Sequence, residues 1–179
     1  KLTLRHFDFA KNPCSCYNIS MKISNYSKSI VYGGLDGIIT TFAVVAGTVG
    51  GNLPTLTVVI LGFSNLLADG FSMASGDYLS SHDEDENPLH NAIATFVSFN
   101  FFGLIPLLAY ILAESQLGSK NGFAVACLVT AFALALLGLT KAKVSEISKR
   151  KAIIQTVLIG GVAAFVAFFV GEFLGNIVK

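Results

Sequence analysis

Long apolar stretches dominate the chain and are separated by short polar connections. A helix that crosses the hydrocarbon layer of a membrane needs about 20 consecutive, mostly apolar residues. Three stretches of this length contain no Asp, Glu, Lys or Arg, at residues 89–113, 121–140 and 152–171. Two more contain one carboxylate each, residues 31–53 with Asp36 and residues 55–73 with Asp69. The pattern therefore predicts an all-α, polytopic membrane protein built as a bundle of five transmembrane helices.

The connections between these stretches indicate how the helices are arranged. Gly50-Gly51-Asn52-Leu53-Pro54 is a typical turn sequence, and Asn87-Pro88 is typical of a helix start. Connections this short place neighbouring helices antiparallel. Residues 1–28 and the connector 141–151 carry five Lys or Arg each, whereas the opposite side has only Lys120 and Lys179. The positive-inside rule then assigns the N-terminus, the connector and the acidic loop 82–86 to the cytosolic or matrix side.

Composition narrows the class of protein further. The chain is 53% hydrophobic and 13% charged, whereas soluble domains are about 25% charged. A net charge of +1 is too small to give the positive electrostatic potential that attracts nucleic acid. Three cysteines are too few for a disulfide scaffold. The sequence contains no nucleophile–base motif, nucleotide-binding loop or zinc-ligand spacing. We therefore expect the protein to have membrane lipid as a partner, to bind no nucleic acid and to have no enzymatic activity.

Residues 1–28 differ from the rest of the chain. They are polar and basic and lack a long apolar core. Cys14 and Cys16 stand one residue apart, a spacing that makes a poor zinc site without further ligands. We expect a polar, partly disordered tail over residues 1–28, followed by the transmembrane domain over residues 29–179. The basic composition of the tail also leaves a mitochondrial address open.

Carboxylates inside the predicted spans are the most informative residues. Such a group costs at least about 2.5–3.5 kcal/mol at the centre of a membrane helix, so it must face the interior, pair or bind something. In the second span a polar stripe recurs every four residues, formed by Asn65, Asp69, Met73 and Asp77. Carboxylate and amide oxygens beside a thioether favour a first-row transition metal, and without His or Cys we expect Fe²⁺ or Mn²⁺ rather than Zn²⁺.

Each of these polar residues also has a simpler interpretation. A lone methionine such as Met73 is more often a core residue than a metal ligand, and Asp77, near the end of its span, fits equally as a solvated group. Asp36 and Asp69 fit as proton carriers or structural hydrogen-bonding groups. Glu172 reaches the far interface or forms an exit site, and the acids at 83–86 form a solvated loop or a weak cation-collecting vestibule.

Small residues mark predicted packing surfaces. In the last span they recur every four positions, at Ala163, Ala167, Gly171 and Gly175, and in the second span at Gly70 and Ala74. Ridges of small residues allow helices to approach closely. The sequence leaves open whether these contacts form within one subunit or between subunits.

Several longer motifs resemble one known family. Residues 29–37 and 42–47, with the sequences SIVYGGLDG and FAVVAG, resemble the first span of the vacuolar iron transporter family. Residues 65–81, NLLADGFSMASGDYLSS, resemble its second span. Similar matches occur at NPL (87–89), FGLIPLL (102–108) and LIGGVAA (158–164). The resemblance extends from about Lys28 to the C-terminus.

This resemblance implies a fold, a cargo and a mechanism. It implies five transmembrane helices, a homodimer, and a path for Fe²⁺ or Mn²⁺ near the dimer interface. It also implies export from the cytosol into a vacuole or another endomembrane compartment, driven by a counter-flow of protons, with no permanently bound cofactor. The first-span aspartate of the family corresponds to Asp36 and its second-span methionine to Met73. Several members carry a glutamate where this chain has Asn65, and we expect Asp69 to supply that charge one turn later.

The chain departs from the family between the second and third spans. Many members insert a cytosolic, glutamate-rich metal-binding domain there, whereas this chain has only residues 78–87. The sequence therefore indicates a short form of the family. Two hypotheses follow. In the first, Asp36 and Met73 coordinate a transported metal ion while Asp69 neutralises charge or exchanges protons. In the second, the protein is a non-transporting membrane subunit that retains the fold as a scaffold in a larger assembly.

Overall fold

The computed structural model describes residues 14–81, 87–145 and 147–177. Within them lie five helices: α1 (Cys14–Gly50), α2 (Thr55–Ser81), α3 (Pro88–Leu117), α4 (Ser119–Val144) and α5 (Lys149–Ile177). Each contains a segment long and apolar enough to cross a membrane, namely Tyr26–Gly50, Thr55–Ser80, Pro88–Leu117, Asn121–Val144 and Lys149–Ile177. The prediction of an all-α, five-helix membrane bundle is confirmed.

Tight turns join α1 to α2 and α3 to α4. After α1, the backbone N–H of Gly51 donates to the carbonyl of Gly47 at 2.9 Å, and Asn52 adopts a positive φ of 53°. Gly118 alone separates α3 from α4, with a φ of 77°, in the left-handed region that glycine adopts without a steric penalty. Turns this short cannot carry the chain to a distant part of the bundle before the next helix begins. Consecutive helices therefore run antiparallel, as the sequence predicts.

The first helix occupies the centre of the bundle. It packs against each of the other four helices, and Ile38 and Val45 on it are fully buried. At Gly37 a side chain would collide with the carbonyl oxygen of Phe99. The absence of a side chain at Gly37 therefore lets α1 and α3 approach backbone to backbone. By contrast, α2 and α5 lie on the outside, where their spans are largely exposed.

The small residues of α5 pack within the subunit. A Cβ at Gly171 would collide with the carbonyl oxygen of Gly47, and one at Gly175 would lie 2.8 Å from the carbonyl oxygen of Gly51. Gly70 of α2 likewise packs on α3, where a Cβ would lie 2.7 Å from Nδ2 of Asn100. At these positions the ridges join helices of one subunit, which the sequence left undecided.

The helical part of the N-terminal segment is longer than its apolar pattern indicates. Helix α1 begins at Cys14, so its first four turns fall within the segment predicted as a polar tail. Residues 1–13 and the acidic residues 83–86 lie outside the described part of the chain. The limits of the tail and the role of the acidic cluster therefore stay predictions.

Candidate functional site

The structure places the two intramembrane aspartates on adjacent helices, within range of an electrostatic interaction. Asp36 lies on α1 and Asp69 on α2, each partly buried and each near the middle of its span. Glycines beside them, Gly37 next to Asp36 and Gly70 next to Asp69, pack closely on the same helix, α3. Their carboxylates are close enough for the two negative charges to interact. Helix α3 thus acts as a common support that presents both acids to one region of the bundle.

No basic residue near these acids along α1 or α2 offsets this charge, since the lysines of α1 lie before residue 29. Between residues 29 and 81 the sequence has no Lys or Arg, and residues 88–117 of α3 have none either. Two carboxylates held near each other in a low-dielectric interior repel, and desolvation adds to the cost. A cation or a proton bound at either carboxylate lowers both the repulsion and the cost of desolvation. The pair therefore has the electrostatics of a site that receives positive charge.

Asn65 adds an unsatisfied polar group one turn along α2 from Asp69. Its Nδ2 atom is buried and has no hydrogen-bond partner. The oxygen and nitrogen of an amide are nearly interchangeable in shape, so a flipped side chain would expose the carbonyl oxygen at the same place. An unsatisfied buried polar group costs about 1–3 kcal/mol, and water or an ion commonly accounts for it. Asn65 thus fits as a ligand for a passing cation.

Met73 has an ambiguous position. Its partly buried side chain packs against the core cluster that contains Leu66 and Phe99. This contact agrees with the alternative interpretation of Met73 as a core residue. The position also places it one turn from Asp69 on the same helix. Its role as a sulfur ligand stays a prediction.

Asp77 joins three helices. Its Oδ2 atom accepts a hydrogen bond of 2.8 Å from the hydroxyl of Ser29 on α1 and another from the hydroxyl of Thr95 on α3. These bonds lie at the end of the bundle where α2 and α3 are connected. The sequence did not indicate this contact, because Ser29 and Thr95 carry no charge and belong to no recognisable motif. The predicted ligand role of Asp77 stays untested beside this structural one.

A further carboxylate, Glu114, escaped the sequence analysis. Its Oε1 atom accepts a hydrogen bond of 2.6 Å from the hydroxyl of Thr55, while its Oε2 atom is buried without a partner. Gly122 packs against it, since a Cβ there would lie 2.7 Å from the Glu114 Cα atom. One signal was available: Glu114 is the first charged residue after the charge-free stretch 89–113. Glu172, by contrast, is exposed on α5.

The described residues of one subunit do not form a closed metal cage. Among residues 14–81, 87–145 and 147–177, no group of three or more His, Cys, Asp or Glu side chains is placed to hold a metal ion. Two carboxylates, an amide and a thioether instead follow one another through the membrane.

Comparison with known proteins agrees with this arrangement. The model of the VIT family matches residues 27–87 and 81–172. A vacuolar iron transporter of Toxoplasma gondii is 28% identical over 87% of this chain and 76% of that protein. Vacuolar iron transporter homolog 2.1 of Arabidopsis thaliana is 24% identical over 87% of this chain and 84% of its own length. A third relative, the membrane protein of ER body-like protein of Arabidopsis thaliana, is 26% identical over 85% of this chain but only 24% of its own length.

The comparisons also bear on the connection between α2 and α3. The two family matches meet at residues 81–87, where that connection lies. The alignment with the Toxoplasma relative spans 230 positions although this chain has only 179 residues, so that protein has residues with no counterpart here. The names of the relatives support an endomembrane location and give no support to the mitochondrial alternative. The five spans, the grouped acids and the matches over most of the chain agree: this integral membrane protein belongs to the VIT family, a family of metal transporters.

Proposed function

We propose that the protein carries Fe²⁺ or Mn²⁺ out of the cytosol into a vacuole-like compartment in exchange for protons. The observation that carries this proposal is the placement of Asp36 and Asp69 on adjacent helices, each near the middle of its membrane span. Keeping two acids there is costly unless a cation visits them. The names of the relatives supply iron as the cargo. The oxygen and thioether ligands are compatible with Fe²⁺ and with Mn²⁺.

Proton exchange follows from the chemistry of the ligands. Carboxylates bind a metal ion only when they are deprotonated, so metal binding and proton binding exclude each other. On the cytosolic side, near neutral pH, Asp36 and Asp69 accept the ion. When the site opens to an acidic compartment, protons displace the ion from the same oxygens. Transport against a metal gradient then draws on the proton gradient without any covalent step.

A homodimer would complete the site. In one subunit Asp69 and Met73 are partly exposed at the side of α2. Next to them runs an exposed stripe of small residues, Ser64, Ala68, Ser72 and Gly76. Lipid tails offer no hydrogen bonds or charge to an exposed carboxylate, whereas a second copy packed on this stripe excludes lipid from the acids. Two copies also double the number of acids along one path, which compensates for the sparse ligand set of each subunit.

The proposal is tested by metal uptake into proteoliposomes with an acidic interior and an enclosed metal-sensitive dye. Replacing Asp36 or Asp69 with Asn, or Met73 with Ala, should slow uptake at least about tenfold, the factor that corresponds to roughly 1.4 kcal/mol. Glu172→Gln is the matched control, because it neutralises an exposed acid at the far end of α5. Uptake that survives both Asp36→Ala and Met73→Ala would refute the proposal.

The second candidate function is a non-transporting subunit of a larger assembly. The Arabidopsis ER body-like relative favours it, since the matching region is only 24% of that protein and the fold is there one part of a longer chain. In this case the five-helix bundle would serve as a membrane scaffold. Purification from native membranes distinguishes the two. A homodimer with bound iron supports transport, and a large, metal-free complex supports the scaffold.

A further inference from the structure

A cluster of cations surrounds the connection between α4 and α5. Lys141 and Lys143 lie in the last turn of α4, and Lys149, Arg150 and Lys151 begin α5. A Cβ at Gly138 would lie 3.0 Å from the Cα atom of Ile153, so the two helices touch one turn inside the connector. This contact brings the cations of both helices to the same level at the membrane surface.

These side chains are available to a ligand. Lys143, Lys149, Arg150 and Lys151 are exposed, and Lys141 is partly buried. Within the described ranges none of the five takes part in an ion pair or hydrogen bond through its side chain. The one acid of the connector, Glu146, lies outside those ranges. The described part of the cluster therefore carries an uncompensated positive charge.

An apolar groove begins directly below this cluster. It is a shallow depression on the outer face of α5, lined from Ile153 to Phe165 by residues of that helix alone, and is called here the α5 groove. Arg150 lies on the same helical face, one turn before Ile153 and Ile154. In the middle of the groove a Cβ at Gly161 would meet no atom within 4 Å, so there is open space above the backbone. Phe165, which is 62% exposed, lies at the end of the groove farthest from the cations.

The length of the α5 groove matches one leaflet of a bilayer. Twelve residues of helix separate Ile153 from Phe165, a rise of about 18 Å. Half of a hydrocarbon core about 30 Å thick is close to this length. The cations at the membrane surface are complementary to a negatively charged lipid headgroup. The apolar residues below them are complementary to an acyl chain. We propose that this surface binds one anionic phospholipid, its headgroup on the Lys141–Lys151 cluster and an acyl chain in the α5 groove.

Charge selects an anionic lipid rather than any lipid. Clusters of four or more Lys or Arg beside a membrane helix attract anionic headgroups, and the attraction weakens with salt. A second apolar groove, between α2 and α3, provides the comparison. It is lined by Phe71, Leu79 and Phe96 among others, and neither α2 nor α3 contains a Lys or Arg. That groove should accept acyl chains without preference for the headgroup.

The chain contains no tryptophan, which permits a direct measurement. A single Phe165→Trp substitution places one fluorophore at the deep end of the α5 groove. The full-length protein is reconstituted in phosphatidylcholine bilayers containing either brominated phosphatidylserine or brominated phosphatidylcholine, both of which quench tryptophan on contact. Brominated phosphatidylserine should quench at a concentration at least about fivefold lower, the effect of one engaged cation. When the same protein also carries Lys149→Gln, Arg150→Gln and Lys151→Gln, both lipids should quench its tryptophan fluorescence equally.

Two further variants separate the possible outcomes. Phe71→Trp, in the groove between α2 and α3, should be quenched equally by both lipids. Gly161→Leu, which fills open space, should weaken quenching of Trp at position 165 by phosphatidylserine while leaving the fold intact. Equal quenching of the Phe165→Trp protein by both lipids overturns the proposal, as does a preference that survives the triple substitution. Protection from both lipids also overturns it, because a second copy or another protein then covers the groove.

Discussion

The hydroxyl of Ser29 donates a hydrogen bond of 2.8 Å to the carboxylate of Asp77, although 48 positions separate the two residues. Thr95 donates to the same oxygen atom from α3. One carboxylate thus ties α1, α2 and α3 together at the end of the bundle where residues 82–86 connect α2 to α3. Because two hydrogen bonds to one side chain join three helices, this contact acts as a structural clamp.

Removing the clamp should destabilise the bundle. Asp77→Ala is expected to lower the free energy of unfolding by about 1.5–3 kcal/mol, the range for hydrogen bonds to a charged group. Asp77→Asn keeps an acceptor oxygen and should lose less. Thermal unfolding of the purified protein in detergent measures both. Ser80→Ala is the control, since the exposed hydroxyl of Ser80 bonds only to a carbonyl of its own helix. A loss for Asp77→Ala no larger than that of the control would contradict the clamp.

Close contact between α1 and α3 at Gly37 leads to a second prediction. Gly37→Ala should destabilise the protein by about 1–3 kcal/mol, because the added methyl group collides with the backbone of Phe99 and overpacks the crossing. Gly161→Ala is the matched control, an exposed glycine in α5 away from the proposed dimer contact. Its Cβ meets no atom within 4 Å, and alanine favours the helix by about 1 kcal/mol over glycine. Unfolding temperatures should therefore move in opposite directions, and an equal response of the two variants would contradict the packing argument.

The proposed homodimer predicts the effect of a bulky residue on α2. Ala68→Phe places a ring in the exposed stripe of small residues and should prevent close approach of a second copy. Light scattering in detergent should then report a monomer, and metal uptake should fall with the loss of the dimer. Leu128→Phe enlarges a side chain that is 73% exposed on α4 and should change neither property. A dimer that persists with Ala68→Phe places the interface elsewhere.

Proton exchange predicts how uptake responds to a pH gradient. Because protons and metal ions compete for the same carboxylate oxygens, an acidic vesicle interior should speed uptake, and an ionophore that abolishes the gradient should slow it. Asp69→Asn should reduce the response to the gradient, since an amide does not titrate in this range. Dye-loaded proteoliposomes give both rates. Uptake that is indifferent to the ionophore would exclude proton coupling while leaving metal transport itself intact.

The sequence by itself determined the number of membrane spans and their approximate positions, although most of the spans extend further than the apolar stretches. Hydropathy is a local property of the chain, and a segment of about 20 apolar residues has few alternatives to a transmembrane helix. For the same reason the sequence singled out Asp36 and Asp69, whose cost in lipid does not depend on their neighbours. It could not show that α1 continues back to Cys14, because polar residues extend a helix without leaving an apolar pattern.

Only the tertiary structure decided which side chains meet. The proximity of Asp36 to Asp69, the clamp at Asp77 and the bond from Thr55 to Glu114 each depend on how one helix is rotated and crossed against another. Those angles are set by close packing at positions such as Gly37 and Gly171, which involve residues far apart in the chain. A one-dimensional pattern gives the face on which a residue lies along its own helix. It does not give the partner that this face will contact, because that choice is made by the packing of the whole bundle.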